Sequence, residues 1–284
     1  MKTLNFGVEI EMKDITRRQG AELVANLFNT TVSSIMDGYS TFAVKDRTGR
    51  IWKFVSDASV HDGQGGCEFV TPILCYDDIE TVQAIVRLLR ENGARIDGEC
   101  GIHIHVGLNR TRAGKVINLQ NLFYKFEDII YHSCKVKRRR RAYCAKTEED
   151  YIKRLNEDRP RSKSEFADIW YITQHGNVGR NQHYNSTRYH AMNLHSWFTK
   201  GTVEFRLFNS TLHAGRVKAY IQFVLALVAT AKRMNSVPFE SRVTTNNEEA
   251  TFNQFLTDTL DLTGDEFKTC RYHMLFNLKE NQPV

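Results

Sequence analysis

Alternation of apolar and charged residues runs through three short segments of this chain and constrains its fold more than any other feature. The segments are FGVEIEM at 6–12, CGIHIHVG at 100–107 and GTVEFRLF at 201–208. Side chains two residues apart point to the same face of a β-strand, so each segment predicts a strand with one apolar and one polar face. The apolar faces require a covering layer, which helices elsewhere in the chain can supply.

The polar faces of these strands carry chemically active side chains, where an ordinary exposed strand carries Thr, Lys or Ser. The pairs are Glu9 with Glu11, His103 with His105, and Glu204 with Arg206. One such pair has little specificity, but the three form a complementary set, since carboxylates and imidazoles bind divalent metals and arginine binds phosphate. In one sheet, so many acids would repel one another unless cations bridged them. We therefore expect Mg²⁺ or Mn²⁺ with a phosphorylated ligand.

Neighbouring segments add further polar candidates. Asp57 and Ser59 lie two residues apart in SDASV, and Glu68 opens the strand predicted in CEFVTP. Asn193 and His195 form a similar pair in AMNLHS, just before the third alternating segment. Turn formation and backbone hydrogen bonding explain Asp57, Ser59 and Asn193 equally well.

Helical periodicity separates the predicted strands. Apolar residues recur at helical spacing in 16–29, 77–92, 114–134, 148–157, 214–233, 248–260 and 264–279. A hairpin is predicted over 41–55, turning near Thr48 and Gly49, with further strands over 67–71 and 189–195. Strands interspersed with helices predict an α/β or α+β fold, as one domain over residues 1–284. Residues 135–187 break the pattern, and we expect an insertion or a lid there.

Composition excludes several classes of protein. The chain has 284 residues, of which 41% are hydrophobic, enough for a globular core. It contains no run of 18 apolar residues, and its N-terminus lacks the apolar segment of a signal peptide. We therefore expect a cytoplasmic protein without a membrane span. The six cysteines include no Cys-x-x-Cys pair, which favours reduced thiols over disulfides or a zinc finger.

A basic run, KVKRRRR at 135–141, supplies much of the net charge of +6. Such runs bind nucleic acid or other polyanions in some proteins. The simpler interpretation is a solvated end of the preceding helix, whose macrodipole favours cations at its C-terminus. We favour the simpler interpretation and keep a nucleic-acid-binding module as an alternative function.

The ordered set of motifs resembles the amidoligase family, which belongs with glutamine synthetase and glutamate–cysteine ligase to the carboxylate–amine ligase superfamily. The motifs are FGVEIEM, SDASV followed by CEFVTPI, CGIHIHVG, and YHAMNLHSWFTKGTVEFRLF, and the resemblance runs from residue 4 to about 230. It implies an α+β fold with a curved, mainly antiparallel sheet, similar to the catalytic domain of glutamine synthetase. Helices would cover the convex face, and the active site would lie on the concave face.

The resemblance also implies roles for individual positions. The expected metal ligands are Glu9, Glu11, Glu68, His103 and Glu204. The residues expected to bind the nucleotide are Arg206, His103, Asn193 and Asp57. The residues expected to act in catalysis are Arg206, Glu204 and His105.

The implied activity is ATP-dependent formation of an amide bond, either peptide or isopeptide. A substrate carboxylate attacks the γ-phosphate of ATP, and an amine then displaces phosphate from the acyl phosphate. The sequence does not identify the base that deprotonates the amine, although His105 and His195 are candidates.

The alternative from another enzyme class is a metal-dependent hydrolase or cupin-like enzyme that uses the His-x-His pair on Zn²⁺ or Fe²⁺. Four glutamates and an arginine suit hard cations and phosphate better than a soft site.

Overall fold

A computed structural model of the chain describes residues 1–57, 60, 66–136, 142–173, 180–182 and 184–279. In these ranges the strands are β1 Phe6–Met12, β2 Val32–Ile35, β3 Thr41–Lys45, β4 Ile51–Val55, β5 Cys67–Val70, β6 Gly101–Gly107, β7 Met192–Asn193 and β8 Thr202–Asn209. The helices are α1 Arg17–Phe28, α2 Ile79–Glu91, α3 Ala113–Ser133, α4 Glu149–Asp158, α5 Lys163–Thr173, α6 His195–Lys200, α7 Ala214–Arg233, α8 Glu248–Gln254 and α9 Lys268–Lys279.

The eight strands form one open sheet in the order β2-β3-β4-β5-β1-β6-β8-β7. Every pair of neighbouring strands in it is antiparallel, so the fold is α+β and the α/β alternative is wrong. The three alternating segments become β1, β6 and β8, which lie side by side. The prediction that they share one sheet is therefore confirmed.

Helices pack on the apolar face of this sheet through aromatic contacts. The ring of Phe28 in α1 lies 5.4 Å from that of Trp52 in β4, and Phe123 in α3 lies 6.1 Å from Phe205 in β8. Helix α7 is long and apolar enough to cross a membrane, but 78% of its most apolar window is buried inside the protein, as in the core helix of a globular fold. Five of the six cysteines are buried, and the thiols are reduced in the described part of the chain, as predicted.

Both ends of α1 are encoded locally. The Thr16 hydroxyl oxygen accepts the amide N–H of Gln19 at 3.2 Å, and the Gln19 side chain accepts the amide N–H of Thr16 at 2.9 Å. This capping box satisfies amide groups that have no partner within the helix. At the other end Asn29 adopts a left-handed φ of 55°, which asparagine tolerates better than most residues. The helix predicted over 16–29 is confirmed.

The hairpin predicted over 41–55 is also confirmed as β3 and β4. Its turn is organised by the Asp46 carboxylate, which accepts the amide N–H groups of Thr48 at 2.9 Å and Arg50 at 3.0 Å. Gly49 closes the turn with a φ of 88°, a conformation that glycine adopts without steric cost.

The strand predicted over 189–195 is wrong in its extent, because only Met192 and Asn193 pair with β8. The Asn193 side-chain oxygen accepts the amide N–H of His195 at 2.8 Å, and the Ser196 hydroxyl donates to the Asn193 carbonyl at 3.1 Å. Asparagine that bonds the amide two residues onward favours a turn, so the chain enters α6 here. Sequence periodicity also does not predict β2, α5 or α6.

The described part of region 135–187 contains α4 and α5 and packs around buried aromatic side chains. The rings of Tyr151 and Trp170 lie 5.3 Å apart at a near-perpendicular angle, and both side chains are almost fully buried. These contacts join the two helices. Residues 137–141 of the basic run and Ser59 lie outside the described residues.

Gly20 allows α1 to approach the sheet, since a Cβ atom there would lie 2.5 Å from a ring carbon of Phe54. We expect Gly20→Ala to lower the free energy of unfolding by about 1–3 kcal/mol, because the ring or the helix must move. Urea denaturation measures this change. The matched control is Gly114→Ala in α3, where a Cβ meets no heavy atom within 4 Å and the higher helix propensity of alanine adds stability. Equal stability of the two variants would contradict this packing.

Candidate active site

The register of β1 with its two neighbours places the predicted carboxylates and imidazoles together. Glu9 is opposite His103 of β6, and Glu11 is opposite Glu68 of β5. Directly opposed residues of antiparallel strands have Cβ atoms about 4.5–5.5 Å apart and share a face. The sheet therefore assembles these side chains from segments that are far apart in sequence.

Strand β8 extends the same cluster. Glu204 is opposite His105 of β6 and opposite Asn193 of β7. Between two successive paired positions, two residues of β6 correspond to three residues of β8. The extra residue of β8 produces a bulge next to Arg206. A bulge turns side chains out of the regular alternation. Here the Arg206 guanidinium donates a hydrogen bond to Glu204 Oε1.

Both carboxylate oxygens of Glu204 have partners in the protein. Arg206 donates to Oε1, and the Asn193 amide donates to Oε2 at 2.7 Å. Burial alone would raise the pKa of Glu204, but Arg206, His105 and His103 outweigh it and lower the pKa to about 2. Glu204 is therefore ionised throughout the physiological pH range.

Glu9 lies between two imidazoles. Its Oε2 atom is 3.3 Å from His103 Nδ1, and its Oε1 atom is 3.3 Å from His105 Nε2. Burial raises the pKa of Glu9, but His105 and then His103 outweigh it and hold the pKa well below its ordinary value. Burial lowers the pKa of His105, but Glu9 and Glu204 raise it more. His105 therefore keeps its proton to a higher pH than an exposed histidine.

Glu68 has the opposite electrostatic environment. Burial raises its pKa, and the carboxylates of Glu9, Asp57 and Glu11 raise it further, to well above the ordinary value. Glu68 thus holds a proton at pH values where Glu9 has lost its own. A bound dication would reverse this state, because metal ligation favours the ionised carboxylate.

Among the described residues, three sets could each hold a metal ion, with the ligand atoms of each set within 4.8 Å of one another: Glu9, Glu68 and His103; Glu9, His105 and Glu204; and Glu11, Asp57 and Glu68. Each set has at least two carboxylates and at most one imidazole, a composition that suits Mg²⁺ or Mn²⁺ better than Zn²⁺. Glu9 and Glu68 each belong to two sets, so neighbouring ions could share them. The residues present therefore fit hard divalent cations.

Asn193 and His195 orient other groups in this structure. Asn193 uses its amide nitrogen for Glu204 and its oxygen for the His195 backbone. His195 Nε2 lies 2.9 Å from the Gln182 carbonyl, so it carries a proton, and Nδ1 lies 2.6 Å from the Tyr171 hydroxyl, which can also donate to the Arg180 carbonyl at 3.3 Å. The partners of both ring nitrogens therefore lie outside the carboxylate cluster.

The structure adds Arg188 and Tyr189, to which the sequence analysis assigned no role. The Tyr189 ring centroid lies 5.9 Å from the guanidinium carbon of Arg206 and 5.5 Å from that of Arg188. Arg188 also lies over the ring of Tyr184 at 5.1 Å. A second guanidinium thus shares an aromatic ring with Arg206. The sequence signal, an Arg-Tyr pair in STRYH, is too short to have revealed this.

The thermal stability of the Glu68→Gln variant tests whether the carboxylates of this cluster repel one another. Because the folded-state pKa of Glu68 lies above the unfolded value of 4.5, its carboxyl stabilises the fold below that pH and loses this contribution as pH rises. We therefore expect the variant to have a higher Tm than the wild type at pH 8 in EDTA, by about 2–4 °C per kcal/mol of relieved repulsion. The difference should vanish near pH 4. Scanning calorimetry at both pH values measures it.

The exposed carboxylate of Glu157 in α4 provides the control, since Glu157→Gln should change Tm little at either pH. Added Mg²⁺ or Mn²⁺ should raise the Tm of the wild type more than that of Glu68→Gln, because ligand binding to the folded state stabilises it. A Glu68→Gln variant less stable than the wild type at pH 8 in EDTA would refute this electrostatic account.

Comparison with known proteins agrees with this geometry. The model of a family described as "putative amidoligase enzyme" matches residues 2–228, a range that includes every residue of the cluster. No curated protein matches the chain. Since the match covers well over half of the 284 residues, the chain belongs to the amidoligase family, and this membership indicates an amide-forming ligase.

Proposed function

We propose that the protein is an ATP- and Mg²⁺-dependent carboxylate–amine ligase that forms an amide bond through an acyl phosphate. The observation that carries the proposal is the meeting of acidic metal-ligand sets and a buried arginine on adjacent strands of one sheet. Family membership supports amide formation. The acidic cluster supports a nucleotide held through cations. We also propose that the cluster occupies the concave face of a glutamine synthetase-like sheet.

The ligands that we assign to the metal ions are the predicted ones: Glu9, Glu11, Glu68, His103 and Glu204. Bound Mg²⁺ supplies positive charge that offsets these carboxylates and polarises phosphate oxygens. Within the protein, the amide N–H of Gly101 orients Glu11 at 2.6 Å, and Asn193 orients Glu204 at 2.7 Å. These hydrogen bonds keep the carboxylates in place before a ligand arrives, which reduces the reorganisation that binding requires.

The central difficulty of the reaction is that two anions, a carboxylate and a triphosphate, must approach each other. Arg206 remains charged at all relevant pH values and is 5% exposed, so its field acts in a site largely protected from water. We assign it to the transferring phosphoryl group, where positive charge stabilises the transition state. Arg188, on the same tyrosine ring, would bind the substrate carboxylate through two hydrogen bonds.

In the first step a carboxylate oxygen bonds to the γ-phosphorus, and the bond to the bridging oxygen breaks to release ADP. In the second step the amine nitrogen bonds to the acyl carbon, and phosphate leaves. The amine also loses a proton to a base. Since both nitrogens of His195 contact groups outside the acidic cluster, we assign the proton to His105, whose Nε2 faces Glu9 and Glu204 within it.

The direct test is ADP release from Mg-ATP in the presence of amino acids, peptides and amines, followed by mass spectrometry. A product whose mass equals carboxylate plus amine minus water would support the ligase. Calorimetry separates the hydrolase alternative, since tight Zn²⁺ binding without affinity for Mg-ATP would overturn the ligase proposal. The nucleic-acid alternative depends on residues 137–141, outside the described residues, and predicts salt-sensitive binding that disappears when they are neutralised.

Glu204→Gln should abolish ATP turnover, with a loss of at least about 10³-fold in kcat. The neutral amide removes one metal-ligand charge and leaves Arg206 without the ionised partner that orients it. Circular dichroism should stay close to that of the wild type, although Tm should fall because Arg206 loses its buried ion-pair partner. Glu157→Gln provides the matched control and should retain turnover. Near wild-type turnover in Glu204→Gln would remove this residue from the mechanism.

Arg206→Lys should lower kcat by about 10²–10³-fold, because lysine keeps the charge but loses the planar fork that binds phosphate through two donors. The KM for ATP should change much less, since the cations hold the nucleotide. Steady-state kinetics separate the two parameters. Arg154→Lys, on the exposed surface of α4, is the control. A kcat within a factor of about three of the wild type would show that Arg206 contributes charge alone.

A further inference from the structure

A cavity of about 300 Å³ lies beyond the ends of β6 and β8, outside the metal-ligand cluster. Its walls come from the turn after β6, the start of α5 and the connection from α6 to β8. It shares no lining residue with the three candidate metal sets. The cavity is therefore a separate site, and its chemistry can be considered independently of the ligase reaction.

Four cationic side chains and no acidic one line this cavity: Arg110, Arg112, Arg161 and Lys163. Among the described residues, no carboxylate forms an ion pair with any of the four. The carboxylate of Glu165, nearby in α5, accepts the backbone N–H of Arg161 at 2.8 Å. All four side chains are exposed, so solvent screens their mutual repulsion, but a concave surface lined by charges of one sign attracts an anionic ligand.

The wall beside β8 is held by close backbone packing. Leu108 donates its amide N–H to the Gly201 carbonyl at 2.9 Å. Gly201 has a φ of 81°, and a Cβ atom there would lie 2.3 Å from the side-chain oxygen of Asn109. The positive φ favours glycine at this position, and the Leu108–Gly201 hydrogen bond holds the turn that carries Arg110 and Arg112 against the start of β8.

Two further features present hydrogen-bond donors to the same cavity. Helix α3 begins at Ala113, which lines the cavity, and the side chain of its N-cap residue, Arg112, makes no capping hydrogen bond. The first amides of a long helix attract anions through their N–H groups and the helix dipole. The Thr111 hydroxyl is buried, and it has no hydrogen-bond partner in the described part of the chain.

We propose that this cavity binds a small metabolite carrying two or more oxyanion charges, as phosphate or carboxylate groups. Arginine recognises both groups through paired hydrogen bonds, and the volume suits a ligand of metabolite size. Trp197 contributes a flat apolar wall, over which Lys163 Nζ lies at 5.7 Å from the ring centroid. Phosphate and carboxylate ligands share this chemistry, so the experiment must separate them.

Calorimetry of the 284-residue chain with inorganic phosphate, pyrophosphate and citrate, in EDTA and without nucleotide, tests the proposal. We expect saturable binding of at least one probe that weakens as ionic strength rises. Comparison of pyrophosphate with citrate identifies the phosphate or the carboxylate class. The Arg110→Gln/Arg112→Gln double variant should bind at least about tenfold more weakly, because two charge-assisted contacts are lost.

A second double variant, Arg161→Gln/Lys163→Gln, removes the two cations on the opposite wall of the cavity. It should also weaken binding, and it keeps the proposal testable if the first double variant misfolds. The control is Arg87→Gln, which removes an exposed cation of α2 and should leave binding unchanged. Glu204→Gln should also bind the probe as the wild type does, because it alters the metal-ligand cluster alone. The Glu204→Gln variant therefore separates the two proposals, because it tests the ligase mechanism without altering the cavity.

Absence of saturable binding by all three probes would overturn the proposal. So would binding that survives both double variants, or that Glu204→Gln abolishes, since the anion would then lie elsewhere. Binding of a single-stranded oligonucleotide through these four cations, without binding of any small anion, would also overturn it. The cavity would then be part of a nucleic-acid surface.

Discussion

Repulsion between carboxylates on adjacent strands is the constraint on which the rest of this structure depends. Glu9 and Glu204 are ionised because imidazoles and a guanidinium lie beside them, while burial and then the surrounding acids raise the pKa of Glu68 so that it keeps a proton. Such a cluster opposes folding wherever cations do not offset it. The free energy that offsets this repulsion comes from the other face of the sheet, where helices bury a continuous apolar layer.

Antiparallel pairing is what makes the cluster compact. Its members come from residues between Glu9 and Arg206, yet all except Asp57, which follows β4, lie on β5, β1, β6, β8 and β7, which are consecutive in the sheet. A slip of one residue in any pair would move a whole set of side chains to the opposite face. The chemistry is therefore tied to the register, and the bulge beside Arg206 is the one local departure from alternation between β6 and β8.

Positive charge is distributed unevenly over this protein. Arg206 lies within the acidic cluster, Arg188 reaches the same tyrosine ring from the segment after region 135–187, and four further cations surround a cavity beyond the strand ends. In the proposed ligase reaction, Arg206 and Arg188 would offset the negative charge of the phosphoryl group and the substrate carboxylate. The cavity is a separate proposed site for a different anion.

Much of the local structure could be predicted from the sequence. The helix over 16–29 and the hairpin over 41–55 follow from caps and turn residues that act within a few positions. The alternating segments likewise reveal which side chains share a face, because that property belongs to the extended backbone itself. Prediction failed at 189–195, where the Asn193 side-chain oxygen accepts the amide N–H of His195 and ends the strand against its apparent alternation.

The sequence by itself determined the faces of the strands, the chemical types that they carry and the family to which the chain belongs. Only the tertiary structure decided which carboxylate meets which imidazole, that Glu68 is surrounded by acids, and that Arg188 and Tyr189 join Arg206. The reason is physical: alternation depends on one strand, whereas strand order and register depend on the packing of all helices and strands together. The cavity lined by Arg110, Arg112, Arg161 and Lys163 also depends on the tertiary structure, since these four cations come from two segments that only the fold brings together.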